Sequence, residues 1–143
     1  MKNLTTKMMI AAAFVAAAGM ASAETLEANI PFAFRAGGKV LPAGTYRVRA
    51  EYGSSGRPIL FVSGRERGQQ VIAVPFANGY PKKAWASAGH PMLPFQCGVG
   101  RCALGDVWMG GQGTPVYRLT VPKLGRDESR QVAEIAMHPS KAD

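Results

Sequence analysis

The stretch from Ala28 to Val48 reads ANIPFAFRAGGKVLPAGTYRV and carries the clearest folding signal in the chain. Apolar side chains at every second position, from Leu26 through Ile30 to Phe34, share one face of an extended segment. Polar, small or proline residues fall on the other face. Strict alternation of this kind is typical of a half-buried strand. The stretch therefore predicts that the chain folds as β-structure.

Turns and renewed alternation follow this first strand. Gly37-Gly38 supplies positive φ without a Cβ penalty, and Pro42-Ala43-Gly44 suits a type II turn. A second long strand is predicted from Thr45 to Tyr52. Its predicted inner face is formed by Tyr46, Val48, Ala50 and Tyr52, and its outer face by Thr45, Arg47, Arg49 and Glu51.

The middle of the chain continues the pattern of short strands between glycine and proline turns. Ile59 to Val62 is apolar on both faces, which predicts a central strand. Gln70 to Phe76 contains Pro75, which lacks an N–H donor, so this strand is expected to lie at a sheet edge or to end there. The sequence as a whole predicts an all-β, mainly antiparallel fold: a single-domain β-sandwich or small barrel of seven to eight strands.

The end of the chain carries two overlapping periodicities. Asp127 is a suitable N-cap, and no Gly or Pro follows it until Pro139. A short C-terminal helix is therefore predicted from about Glu128 to Met137, with three apolar residues at helical spacing: Val132, Ile135 and Ala136. A strand is the alternative, because residues of the same segment also alternate in register: Gln131, Ala133, Ile135 and Met137.

Residues 1–23 have the composition of a secretory signal peptide. A basic start with Lys2 and Lys7 precedes an apolar run, and Ala21-Ser22-Ala23 supplies small residues for cleavage. The run is too short for a transmembrane helix, which needs about 20 apolar residues. Cleavage after Ala23 predicts a mature single domain over residues 24–143, exported to the periplasm or the extracellular medium.

The net charge indicates which partners the mature chain could contact. The full sequence carries 17 basic and 9 acidic residues, a formal net charge of +8, and loss of the leader leaves about +6. A basic surface favours anions such as an acidic envelope polymer or a lipid surface. The basic residues are scattered, with no run longer than Lys82-Lys83. Solubility alone is therefore the plainer interpretation, and no specific nucleic-acid site is predicted.

The two cysteines predict a structural disulfide. Cys97 and Cys102 flank four residues, and opposed positions across so short a hairpin lie within disulfide reach. An oxidising compartment makes this bond the default. Redox and zinc chemistry are the alternatives, but the C-x-x-C motif is absent, and His90 and His138 lack a ligand spacing.

Residues 30–46 follow the pattern I-P-F-x-F-x-x-G-x-x-x-L-P-A-G-x-Y, from Ile30 to Tyr46. This opening resembles that of a family of small exported bacterial β-proteins with no assigned activity. The resemblance covers about the first quarter of the mature chain, and the Cys97/Cys102 pair is not part of the family pattern. It implies a mostly antiparallel β fold and carries no functional residue onto this chain.

No catalytic or cofactor motif is apparent in the sequence. Gly110-Gly111-Gln112-Gly113 precedes a strand rather than a helix, which argues against a phosphate-binding loop. A small envelope hydrolase using His90 and Asp106 is the enzymatic alternative, without a nucleophile motif to support it. A lipid or hydrophobe carrier with a hollow barrel interior is a further alternative. The main prediction is a non-enzymatic protein without a cofactor or metal, with a binding or structural role in the cell envelope.

The best candidates for an exposed ligand contact lie in a loop-like segment. It combines two aromatic rings with two cations, a composition that suits an anion, in Tyr80, Lys82, Lys83 and Trp85. A larger aromatic platform is also conceivable, with Arg47, Arg49 and Arg118 as anion clamps. Most of its rings more simply fill the core: Trp85, Trp108, Tyr46, Tyr52, Tyr80 and Tyr117.

Overall fold

The opening segment folds as β-structure but is divided between two sheets. The computed structural model describes residues 24–123 and 130–140, so the predicted leader lies outside the described residues. Strand β1 (Leu26–Ile30) ends before Pro31, and β2 (Phe34–Ala36) begins after it. Because proline cannot donate a ladder hydrogen bond, the chain leaves one sheet here and enters the other.

Within the described ranges, the first sheet has five antiparallel strands. In spatial order they are β13 (His138–Pro139), β1, β4 (Gly44–Tyr52), β5 (Pro58–Ser63) and β6 (Gln70–Ala73). Strand β5 lies between β4 and β6, as predicted for a central strand. Among residues 24–123 and 130–140, β6 forms an edge of this sheet, and it ends at Ala73, before Pro75. Next to the β1–β13 pair, the Ser140 N–H donates to the Thr25 carbonyl at 3.0 Å.

The second sheet contains β2 and seven further strands: β3 (Lys39–Leu41), β7 (Ala77–Gly79), β8 (Met92–Gly98), β9 (Arg101–Leu104), β10 (Asp106–Trp108), β11 (Val116–Arg118) and β12 (Gln131–Ala136). Strand β8 pairs with β9, β10 and β12. Within the described residues, only the β2–β9 pair is parallel. The predicted all-β, mainly antiparallel fold is confirmed, with thirteen short strands in these residues rather than seven or eight.

One apolar cluster spans both sheets. Tyr46 of β4 and Phe34 of β2 are each 1% exposed, and their ring centroids lie 5.1 Å apart in an edge-to-face arrangement. Phe95 of β8 is fully buried and lies 5.4 Å from Phe34. Such pairs contribute about 0.5–1.5 kcal/mol beyond burial. Side chains therefore occupy the space between the sheets, which argues against the hollow interior that a hydrophobe carrier would need.

The predicted inner faces of β1 and β4 hold, with one exception. Leu26 and Ile30 are each 1% exposed, and Val48 is fully buried. Tyr52 is instead 62% exposed, and its hydroxyl lies 2.5 Å from that of Tyr117. The predicted burial is wrong for Tyr52, because β4 continues past the core to the exposed turn at residues 53–57.

The predicted C-terminal helix is wrong. Residues 131–136 form β12, which pairs with β8 from Gln131↔Cys97 to Ala136↔Met92. Ladder hydrogen bonds, and the packing of the inward side of β12 against the core, outweigh a weak local helix preference. Residues 128–129 of the predicted helix lie outside the described ranges.

The segment after β12 crosses from one sheet to the other. Met137 is 2% exposed, and its N–H donates to the Pro91 carbonyl at 2.9 Å. Strand β13 follows at once and pairs with β1 through Leu26↔Pro139 and Glu27↔His138. The chain therefore passes from the second sheet to the first through the single residue Met137.

Candidate anion-binding site

An open groove lies on the outer face of the five-stranded sheet. It has a volume of about 840 Å³, and outward-facing side chains of β4, β5 and β6 form most of it, with the β2–β3 turn at one end. We call it the basic groove, because cations line it together with an aromatic ring. Its lining includes Lys39, Arg47, Arg49, Phe61, Ser63, Gln70 and Ile72.

The alternation of β4 places its arginines in the basic groove. Tyr46 and Val48 point into the core, so Arg47 and Arg49 project to the opposite face. The β4–β5 pairing then sets Arg49 directly opposite Phe61. The groove thus follows from strand period and strand register together.

The Arg49 guanidinium lies over the Phe61 ring. Its Cζ is 4.8 Å from the ring centroid, a cation–π distance. Its Nε is 3.0 Å from Oε1 of Glu51. Those two atoms lack hydrogen-bond alignment, however, and this buried Nε has no other acceptor in residues 24–123 or 130–140. An exposed ion pair contributes only about 0–1 kcal/mol, so an anionic ligand can compete with Glu51 for the guanidinium.

Cations outnumber carboxylates around the basic groove. Lys39 lies at one end, where its ammonium donates to a backbone carbonyl. Arg65 lines an adjoining depression that shares Arg47 with the groove. Glu27 lines the same adjoining depression, and Glu51 lies beside Arg49. The charges of these four cations and two carboxylates sum to about +2, which attracts anions and weakens with added salt.

The predicted contact around Trp85 is only partly exposed. Helix α1 (Lys83–Ala88) turns Trp85 inward to 4% exposure, where its ring stacks on Trp108 with centroids 6.3 Å apart. The prediction of Trp85 as an exposed contact is therefore wrong, because the large indole packs into a second apolar cluster. Tyr80 is 96% exposed and Lys83 is exposed, and their ligand role stays a prediction.

Glu134 connects helix α1 to β12. Its Oε2 accepts a hydrogen bond from Trp85 Nε1 at 2.5 Å, and its Oε1 lies 3.2 Å from Lys82 Nζ. The Trp85 hydrogen bond, with Lys82 beside it, holds the pKa of Glu134 below its ordinary value of 4.5, against the opposing effect of burial. Lys82 already has a carboxylate partner, so it is less available to an anionic ligand.

The two residues of the hydrolase alternative do not line one cleft. Asp106 lines a depression of about 620 Å³ with Gln96 and Arg118. Burial raises the pKa of the Asp106 carboxyl, and the charges of Arg118 and Lys82 partly offset this effect. His90 is exposed after helix α1 and is not among the lining residues. Arg118 was predicted as an anion clamp together with Arg47 and Arg49. It instead lies opposite Asp106 in the β10–β11 pair and does not line the basic groove.

The cysteines form the predicted disulfide. Cys97 of β8 and Cys102 of β9 are paired across the hairpin, and their sulfur atoms are bonded. Neither sulfur is free for metal or redox chemistry in this state. In the described part of the chain, no group of three or more His, Cys, Asp or Glu side chains is arranged to hold a metal ion.

Phe61 and Lys39 belong to the groove although sequence reasoning did not single them out. Phe61 lies in a strand that is apolar on both faces, so alternation alone does not mark its ring as a surface group. Lys39 is the first residue of β3 and reaches the groove only through the fold. The signal that was available is the pair Arg47 and Arg49, two cations on one wet face.

A scan against protein-family models finds no matching family, and searches of curated proteins and of solved structures find no match. Across residues 24–123 and 130–140, no helix has the length and apolar character that a bilayer crossing requires.

Proposed function

We propose that this chain is an exported, non-catalytic β-protein of the cell envelope that binds an anionic component through the basic groove. The observation that carries the proposal is the position of Lys39, Arg47 and Arg49 around the outward side of Phe61 in one open groove. Cations beside an aromatic surface suit a ligand that combines carboxylate or phosphate groups with apolar surface. The resemblance of residues 30–46 to small exported β-proteins agrees with this proposal.

The chemistry of the groove favours binding over catalysis. Guanidinium groups stay protonated in proteins, so Arg47 and Arg49 hold charge without transferring protons. Their planar donors match the paired oxygens of carboxylate and phosphate groups. Ser63 and Gln70 add neutral hydrogen-bonding groups to the same lining. Together these side chains can hold an anion and orient it.

Export is supported by the composition of residues 1–23 and by the Cys97–Cys102 disulfide, a bond that persists in oxidising compartments. Mass spectrometry of the chain recovered from the periplasm or the medium should give a protein that begins at Glu24. Recovery of the chain only from the cytoplasm, with residues 1–23 intact, would contradict this part of the proposal.

Titration calorimetry with polyphosphate and with polygalacturonate tests the groove. Arg47→Gln with Arg49→Gln should weaken binding roughly tenfold or more, since hydrogen bonds to charged groups contribute about 1.5–3 kcal/mol each. The matched control is Arg57→Gln with Arg101→Gln, which removes the same charge from exposed positions outside the groove lining. The control should change affinity by less than about threefold. Equal losses in the two pairs would mean that only net charge matters and would refute the groove as the site.

A further inference from the structure

Three large apolar side chains follow one another on the surface beside the basic groove. Ile72, Val74 and Phe76 occupy every second position and are 60%, 60% and 68% exposed. Exposed apolar residues on monomeric proteins are usually scattered singly, so three large ones within five residues of chain are a candidate interaction surface. We call these three residues the apolar ridge.

Backbone hydrogen bonds hold the apolar ridge at both ends. Ile72 lies in β6, which pairs with β5. The Phe76 N–H donates to the Arg118 carbonyl at 3.0 Å, and β7 then continues the pairing with β11. Val74 and Phe76 therefore lie in a three-residue connection that is held between hydrogen-bonded strands at both of its ends.

Cations border the Ile72 and Val74 end of the apolar ridge, whereas Phe76 lines the depression that contains both Asp106 and Arg118. Ile72 lines the basic groove together with Lys39 and Arg49. Ile72 and Val74 also line a second depression, of about 480 Å³, together with Arg35. Aliphatic groups with basic groups beside them complement a layer of anionic headgroups above acyl chains.

We propose that the apolar ridge inserts into the interface of an anionic lipid bilayer while the basic groove binds its headgroups. The inference rests on the proposed function and names the carrier of the anion. Interfacial binding combines burial of apolar surface with attraction to anionic lipids, and this surface supplies both contributions side by side. An acidic polysaccharide offers anions but no acyl region to receive Ile72, Val74 and Phe76.

Vesicle co-sedimentation separates the ridge from the groove. With vesicles of phosphatidylglycerol and phosphatidylcholine in equal parts, Val74→Ser with Phe76→Ser, which leaves the groove-lining Ile72 in place, should lower the partition coefficient roughly tenfold or more. Polyphosphate binding by this variant should stay at the native level. The matched control is Val99→Ser with Val132→Ser, two valines that are 77% and 55% exposed and line neither the groove nor the second depression. The control should partition as the native chain does, and thermal melting checks that both variants fold.

The outcomes distinguish this inference from the function on which it rests. Native partitioning by the ridge variant, or equal native binding to vesicles of pure phosphatidylcholine, would overturn bilayer docking. A native chain that binds polyphosphate but no vesicles would also overturn it and would leave anion binding standing. A native chain that binds vesicles, polyphosphate and polygalacturonate equally poorly, with no measurable affinity for any of them, would remove both proposals. Loss of polygalacturonate binding in the ridge variant would assign the ridge to a polymer site instead.

A tryptophan placed on the ridge measures insertion directly. Phe76→Trp should show blue-shifted emission and quenching by brominated acyl chains, whereas Val99→Trp on the β8–β9 hairpin should show neither. The native Trp85 and Trp108 are 4% and 2% exposed, so they add a constant background. Equal quenching at the two introduced positions, or quenching at neither, would contradict insertion of the ridge.

Discussion

Truncation of Phe34 to alanine should destabilise the protein more than the same truncation of Phe32 or Phe76. Its ring lies between Tyr46 of one sheet and Phe95 of the other, with centroids 5.1 Å and 5.4 Å away. Phe32 is half-buried and makes one such contact, with Phe95 at 5.1 Å. Phe76 is 68% exposed. The three residues therefore form a series of decreasing burial.

The expected costs follow this series. A buried Phe→Ala change costs about 3–5 kcal/mol, and two edge-to-face pairs of about 0.5–1.5 kcal/mol each place Phe34→Ala near the upper end. Half the burial and a single pair give about 2 kcal/mol for Phe32→Ala. Phe76→Ala should change the unfolding free energy by at most about 0.5 kcal/mol. Since domains are stable by about 5–15 kcal/mol, Phe34→Ala removes a large fraction of the total.

Urea unfolding followed by tryptophan fluorescence measures these differences. Trp85 and Trp108 are both buried, so their emission reports loss of the folded state. The free energies should be compared at a common m-value. A cost for Phe34→Ala below about 1 kcal/mol, or a cost for Phe32→Ala that equals it, would refute the assignment of Phe34 to the centre of the core.

Three further perturbations have outcomes that the structure indicates. The stability that ionised Glu134 contributes is fully present above pH 4.5, its ordinary pKa, and is lost as the pH falls through its lower pKa in the folded state. The melting temperatures of the native chain and of Glu134→Gln should therefore converge in acid. Reducing the hairpin disulfide with dithiothreitol should lower the unfolding free energy by about 2 kcal/mol in urea titrations. Gly37→Ala should lower the melting temperature more than Gly38→Ala, although φ is positive at both, because only at Gly37 would a Cβ meet Val71 at 2.6 Å and the Ile72 carbonyl at 2.9 Å. Equal melting of the two glycine variants would contradict this close approach.

The two-residue period of the opening predicted burial well because a strand offers only two faces. Once one face is apolar, alternation assigns Leu26, Ile30 and Val48 to the core without knowledge of their partners. The same rule does not determine where a strand stops contributing to the core. Tyr52 obeys the period and is still exposed, because burial also depends on what lies opposite.

The error at the chain end has a specific physical cause. Residues 131–136 satisfy a helical and a strand period at once, so local preference cannot separate the two structures. The decision comes from β8, a strand some forty residues earlier whose edge accepts β12 along its length. A pairing between distant segments of this kind is absent from any single window of sequence.

The candidate site was predictable in part. The wet face of β4 identified Arg47 and Arg49, but only the β4–β5 register brings Phe61 to Arg49. Trp85 shows the opposite limit: two neighbouring lysines suggested a surface loop, whereas a six-residue helix turns the indole onto Trp108. The exposed side chains of one strand can thus be predicted from its sequence. A binding site also depends on residues of other strands, which only the fold brings next to them.

The adjacent ends of the described chain have a mechanical consequence. Strands β1 and β13 lie side by side and antiparallel, joined by two registered pairs and by the bond from Ser140 to Thr25. Tension applied between the two ends would act along the ladder hydrogen bonds, which lie perpendicular to the strands. The bonds would therefore break one after another rather than together. Pulling at both ends should therefore peel the protein apart at low force, whereas a tether at one end alone leaves this junction unloaded.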